Sequence, residues 1–181
     1  MITDDRETIT AESCFYYNGS AIEGTMKFQV LSSSCYRNIN DAGITYNDLF
    51  EAVDKVDPTT GVLTEDFTFV LIELYVENVD AVPAEDYKYS DDVTFRADVL
   101  ELADLSQKMT SGNYKSYYTA YFSERGECEE HLFAYRLNQG ESRTFTLGYI
   151  TFTDNVEDFY LCTTSGNVNS TFVPLNLTLD E

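Results

Sequence analysis

The chain has 181 residues, 43% of them hydrophobic, which suits one domain, at most with a sizeable insertion, that folds without needing a metal or a disulfide. Its 11 basic residues against 32 acidic ones give a formal charge of −21 at pH 7, which excludes nucleic acid and anionic membrane surfaces as partners, because phosphates need Lys/Arg clusters. No apolar run is long enough to span a bilayer, so direct membrane insertion by this chain is not expected.

Met1 followed by the polar stretch Ile2–Glu7 reads as a start codon added to a trimmed chain, and on that reading an export signal has been removed. Residues 1–12 lack a hydrophobic pattern and are expected to form a flexible N-terminus, leaving 13–181 as the single domain. Cys14-Phe-Tyr-Tyr17 suits a short strand, and Asn18-Gly19 supplies a tight turn. Thr25–Val30 then alternates, with Met26, Phe28 and Val30 on one face. Leu31 breaks the pattern, and a bulge or bend is expected there.

Tyr46, Leu49, Phe50, Val53 and Val56 recur at helical spacing, which predicts one inserted amphipathic helix near 46–55. Thr45 or Asn47 can cap it, Asp48 and Glu51 suit the positive end of its dipole, and Asp57-Pro58 ends it. This helix is a candidate lid over the half-apolar face of the strand C-terminal to it.

That strand, Phe67–Val79, is rich in β-branched and aromatic residues and holds no Gly or Pro, so it reads as long and central. Its even positions Val70, Ile72, Leu74 and Val76 form an apolar row for the main core. Its odd positions begin apolar at Phe67, Phe69 and Leu71 and end charged at Glu73 and Glu77, so only their first half needs cover.

Residues 80–89 read as a loop, 93–99 alternate, and Leu100 and Leu102 continue after a register change. Tyr114–Phe122 is aromatic or apolar at most positions and cannot be assigned to one face. Leu132–Leu137 suits a short strand, 143–153 puts Phe145, Leu147 and Tyr149 on one side, and 158–162 adds another strand. Val173, Leu175, Leu177 and Leu179 alternate cleanly, with Pro174 expected at a sheet edge or bulge because it has no N–H to donate. Strands separated by turn signals every 8–12 residues or so predict an all-β fold, a two-sheet antiparallel sandwich.

Two motifs carry a resemblance. Phe69-Val-Leu-Ile-Glu-Leu-Tyr-Val-Glu-Asn78 is a long apolar strand ending in Asn, and Leu137-Asn-Gln-Gly-Glu-Ser142 leads into Phe145-Thr-Leu-Gly-Tyr149. Over about residues 22–179 this order resembles the immunoglobulin-like domains of Gram-positive secreted lipoproteins, similar in fold to a mycobacterial secreted immunogenic antigen. The resemblance implies an immunoglobulin-like β-sandwich, exported to the cell surface or medium and often anchored by a lipidated cysteine upstream. It supplies no catalytic residue. The helix near 46–55 and the four cysteines depart from that pattern.

Cys14, Cys35, Cys128 and Cys162 are even in number, widely spaced and without a C-x-x-C motif. Two disulfides would fit an exported protein and separate buried thiols a cytosolic one; disulfides are the expectation, Cys14–Cys35 and Cys128–Cys162 the preferred pairing. His131 is the only histidine, which excludes a multi-histidine zinc site, and a surface role suits it better than that of a general base. No EF-hand, Walker, dinucleotide or nucleophile-elbow motif occurs, so neither cofactor nor metal site is expected. The sequons at Asn18, Asn169 and Asn176 carry little information in a chain this rich in Ser and Thr.

Tyr114, Tyr117, Tyr118 and Tyr121 are the candidate binding residues, because four tyrosines so spaced on a strand cannot all enter one core. The competing reading packs them against the second sheet or beneath a loop. Two function classes remain open. The first is a non-catalytic extracellular binding or interaction domain with a protein or carbohydrate ligand. The second is a hydrolase of polysaccharide or peptide that uses paired carboxylates in a sandwich cleft.

Overall fold

β5 (Phe67–Asn78) lies at the centre of the larger of two sheets, where its composition places it. The computed structural model describes residues 9–12, 16–17, 20–21, 24–82, 94–97, 100–106, 114–124, 133–162 and 171–178. The larger sheet runs β1 (Ile9–Glu12), β4 (Thr25–Tyr36), β5, β11 (Ser142–Phe152) and β9 (Thr119–Phe122). The smaller runs β13 (Phe172–Pro174), β12 (Phe159–Cys162), β7 (Glu101–Asp104) and β8 (Lys115–Tyr117). Two short ribbons pair β10 (Ala134–Tyr135) with β6 (Phe95–Arg96) and β2 (Tyr16–Tyr17) with β3 (Ser20–Ala21). All of these pairings are antiparallel, and the fold is the expected all-β two-sheet sandwich.

The period of two along β5 assigns its faces. Val70, Ile72, Leu74 and Val76 enter the main core together with Phe28 and Val30 of β4 and Leu102, Phe159, Leu161 and Val173 of the smaller sheet. Burying each such side chain contributes about 1.5–3 kcal/mol, so this row is a substantial source of stability. Phe95 and Tyr135 of the β6–β10 ribbon join Phe122 and Phe145 in a ring cluster with centroids 4.8–5.9 Å apart. In β4 the register against β5 shifts between Val30 and Ser32, the irregularity expected at Leu31. β13 is an edge strand and Pro174 closes it, where its missing N–H is harmless. Beyond it Leu175 and Leu177 stay buried, while Leu179 lies outside the described residues.

The odd face of β5 is covered, but not by the predicted helix. Residues 37–66 instead form 3₁₀ turns at Ile39–Ala42, Tyr46–Asp48 and Val53–Lys55. The helix near 46–55 is broken because Leu49 is extended and Ala52 is left-handed at φ 55°. Between them the Phe50 N–H donates to Ala120 O of edge strand β9 at 2.7 Å. A backbone donor that a helix would use internally thus covers a sheet edge. The apolar stripe still serves as a lid: Leu49 and Val56, with Ile39, Ile44 and Leu63, pack over Phe69, Ala120 and Ile150. Thr45 stands at the N-cap position of the second of these turns, its N–H and hydroxyl both donating to Asp48 Oδ2 at 2.9 and 2.7 Å. Gly148 of β11 admits this packing, because a Cβ there would strike the Phe69 ring.

The short strand expected over 132–137 is limited to β10, although Leu137 beyond it is buried. Cys35 is half-buried and Cys162 buried; Cys14, Cys128 and His131 lie outside the described residues, and with them the expected pairings.

Candidate functional site

Tyr114–Phe122 belongs to no single face because the chain changes sheets within it. β8 ends at Tyr117 on the edge of the smaller sheet, and β9 begins at Thr119 on the edge of the larger one. Tyr118 is the crossover residue and is 69% exposed, ahead of Val82 at 56% and Phe152 at 39%.

The other three candidate tyrosines are drawn inward. Tyr114 meets Phe172 edge-on at 5.1 Å, donates to Glu101 Oε2 at 3.4 Å and lies 3.5 Å from Cys162 Sγ. Burial, then its contacts with Cys162 and Glu101, push the Tyr114 hydroxyl well above its ordinary pKa. Burial also raises the Glu101 carboxyl, which hydrogen bonds from Tyr114 and Ser116 only partly offset. Tyr117 packs edge-on against Phe159 at 6.0 Å, and its buried hydroxyl has no hydrogen-bond partner among the described residues. Tyr121 packs against the cluster beneath the lid, where burial and the Asp48 carboxylate raise its pKa. The structure therefore brings these rings to one crossover but presents only Tyr118 fully to solvent.

Nothing in the sequence singles out two residues of the strands flanking this crossover, Phe152 of β11, which pairs with β9, and Lys115 of β8. Phe152, at the end of β11 and 39% exposed, stacks on Phe67, at the start of β5, with centroids 4.6 Å apart. Lys115 Nζ stands 4.0 Å from the Phe152 centroid and 4.9 Å from that of Tyr117. Cation–π contacts of this kind contribute about 0.5–1 kcal/mol at exposed sites. Lys27 pairs with Glu77 and Lys55 with Asp54, whereas Lys115 Nζ forms no hydrogen bond or ion pair with any described residue. The one available signal for Phe152 is the alternation of β11, whose even positions share the lid's face with Gly148 and Ile150. Lys115 has no such signal, because its place depends on the change of sheet.

The opposite end of β5, about 36 Å away by strand rise, holds a second feature. A cavity of about 560 Å³ opens there, lined among others by Asn78, Thr94, Arg136, Leu137, Glu141 and Arg143. Buried Asn78 frames it: its amide nitrogen donates to Ala81 O at 3.0 Å and Leu137 O at 2.7 Å, and its amide oxygen accepts from Ala81 N at 2.7 Å. Glu141 accepts from both nitrogens of Asn138 and from Arg143; these contacts, led by the Asn138 backbone N–H, hold its carboxyl below the ordinary range.

Among the described residues no group of three or more His, Cys, Asp or Glu is placed to hold a metal ion, and no helix is long and apolar enough to cross a membrane. Compared with known proteins, the chain matches no family model, no curated protein and no solved structure.

Proposed function

We propose that this chain is a non-catalytic binding domain of an exported or surface-attached bacterial protein, of the immunoglobulin-like kind its motifs resemble. Its contact surface is the aromatic end formed by Tyr118, Phe152 and Lys115. The exposure of Tyr118 at a crossover between two strands carries this reading. A large, stiff, amphipathic ring held out by sheet on both sides loses little entropy when it is covered. Export suits the acidic composition, and in an oxidising compartment the disulfides expected from four cysteines would each contribute about 2–4 kcal/mol.

A carboxylate hydrolase needs two carboxyls across a cleft, one of them protonated. Among the described residues that line the cavity the one carboxylate is Glu141, and its hydrogen bonds favour the ionised form. That favours the binding reading.

The test is binding of the chain to a panel of bacterial-envelope polysaccharides and proteins, repeated with Tyr118→Ser and Phe152→Ser. The expected result is a panel member whose affinity falls at least tenfold in both variants while the melting temperature of Tyr118→Ser stays within about 2 °C. Unchanged affinity in both variants, or release of reducing ends or cleaved peptide by the wild type, would contradict it.

A further inference from the structure

We propose that the crossover between the two sheets is a two-state element that sets how Tyr118 is presented. The surplus residue of β9 lies either in a bulge at Ala120, as in the structure, or in the crossover beside Tyr118. The inference concerns the regulation of the proposed contact surface and rests on that reading for its purpose, although its test needs no ligand.

Register carries the argument. Gly148 of β11 faces Tyr121, but the next residue, Tyr149, faces Thr119, so Ala120 is an extra residue on β9. Ala120 and Tyr121 accordingly both join the cluster beneath the lid, where successive residues of a regular strand would alternate. Tyr121 is seated closely on Gly148, since a Cβ there would lie 2.8 Å from Tyr121 Cβ. On the other side one residue, Tyr118, links β8 to β9. A shift by one residue is therefore confined to 117–120, in an edge strand that pairs with β11 alone.

The bulged form leaves polar groups unsatisfied on both sides of Tyr118. Thr119, 6% exposed, and Tyr117 each bury a hydroxyl with no hydrogen-bond partner among the described residues. The Tyr149 hydroxyl, on the residue opposite Thr119, donates to Leu100 O at 3.3 Å instead. If Ala120 pairs with Tyr149, a methyl group takes the place of the Thr119 hydroxyl in the main core, and Thr119 joins Tyr118 in a two-residue link open to water. That form gives up the place of Ala120 beneath the lid, where its carbonyl accepts from Phe50 N at 2.7 Å. A buried methyl and one hydrogen bond are thus set against buried unpaired hydroxyls, opposing effects of similar size, which keeps the second form within reach. No further step is open, because it would lift Tyr121 from Gly148. The one-residue link holds the Tyr118 ring out and the longer link frees it, so a partner that covers the ring selects the bulged form.

The experiment is ¹⁵N relaxation dispersion on the full chain without ligand. Microsecond-to-millisecond exchange is expected at Tyr118, Thr119, Ala120 and Tyr149, with a minor form of about 1–10%, and none at Ile72 or Phe145. Thr119→Val keeps the shape and removes the hydroxyl; it should lower the minor population at least fivefold without lowering the melting temperature, and Tyr117→Phe should act in the same direction. The proposal is overturned if the wild type shows no exchange at 118–120, if exchange extends to Ile72 and Phe145, or if both variants leave the minor population unchanged. A fall of more than about 2 °C in the melting temperature of Thr119→Val would also overturn it, since the hydroxyl would then have a partner. Failure here is distinct from failure of binding at Tyr118, which the serine variants read.

Discussion

Asn78 is the residue on which one end of the sandwich depends. An amide in a fully buried position is stable only because all three of its side-chain bonds are made to backbone groups of Ala81 and Leu137. Asn78→Ala strands Ala81 N and O, and should cost about 2–4 kcal/mol in urea unfolding. The sequence places Asn78 at the end of its strand but is silent on its partners, which come from segments 3 and 59 residues further along the chain. Glu101 shows the opposite balance. Burial holds its folded-state pKa above the ordinary 4.5, so the protonated form is the one the fold prefers. Its contribution is therefore most favourable below pH 4.5 and is lost as pH rises through the folded value. Asp48, Asp57 and Glu141 have lowered values and act in reverse, losing their contribution as pH falls. Glu101→Gln should accordingly be more stable than wild type at pH 7, with the advantage shrinking towards pH 4, as measured by denaturant midpoints at both pH values. An advantage independent of pH would contradict the assignment.

At the scale of elements, the segment 37–66 shows what periodicity can and cannot settle. The apolar stripe of Tyr46, Leu49, Phe50, Val53 and Val56 announces a covering element, and a covering element is present. Its backbone is not helical, because the Phe50 N–H is more usefully spent on the edge of β9 than within its own segment. Nothing in the local sequence encodes that edge, which lies 70 residues away at Ala120. The two readings of this segment differ in one substitution. In a helix, Ala52→Gly would cost about 1 kcal/mol. At φ 55° an alanine is strained, so the same change should be neutral or stabilise by up to about 1 kcal/mol, readable from urea midpoints. β5 is legible for the reverse reason: its period of two and its lack of Gly and Pro leave few alternatives, and pairing on both sides agrees with them.

For the whole molecule, an acidic sandwich offers partners little general attraction, and the proposed binding role would concentrate where charge or shape departs from the average. Among the described residues those departures are the aromatic end with Lys115 and the cavity at the far end of β5. The tyrosine-rich run marks the first in the sequence, but the change of sheets decides which ring remains outside. The most direct test of that arrangement is thermal unfolding of single serine variants at Tyr114, Tyr117, Tyr118 and Tyr121. Tyr118→Ser should melt within about 2 °C of wild type, while Tyr117→Ser, which empties a core position beside Phe159, should fall by about 5 °C or more. A large fall for Tyr118→Ser, or none for Tyr117→Ser, would contradict the account.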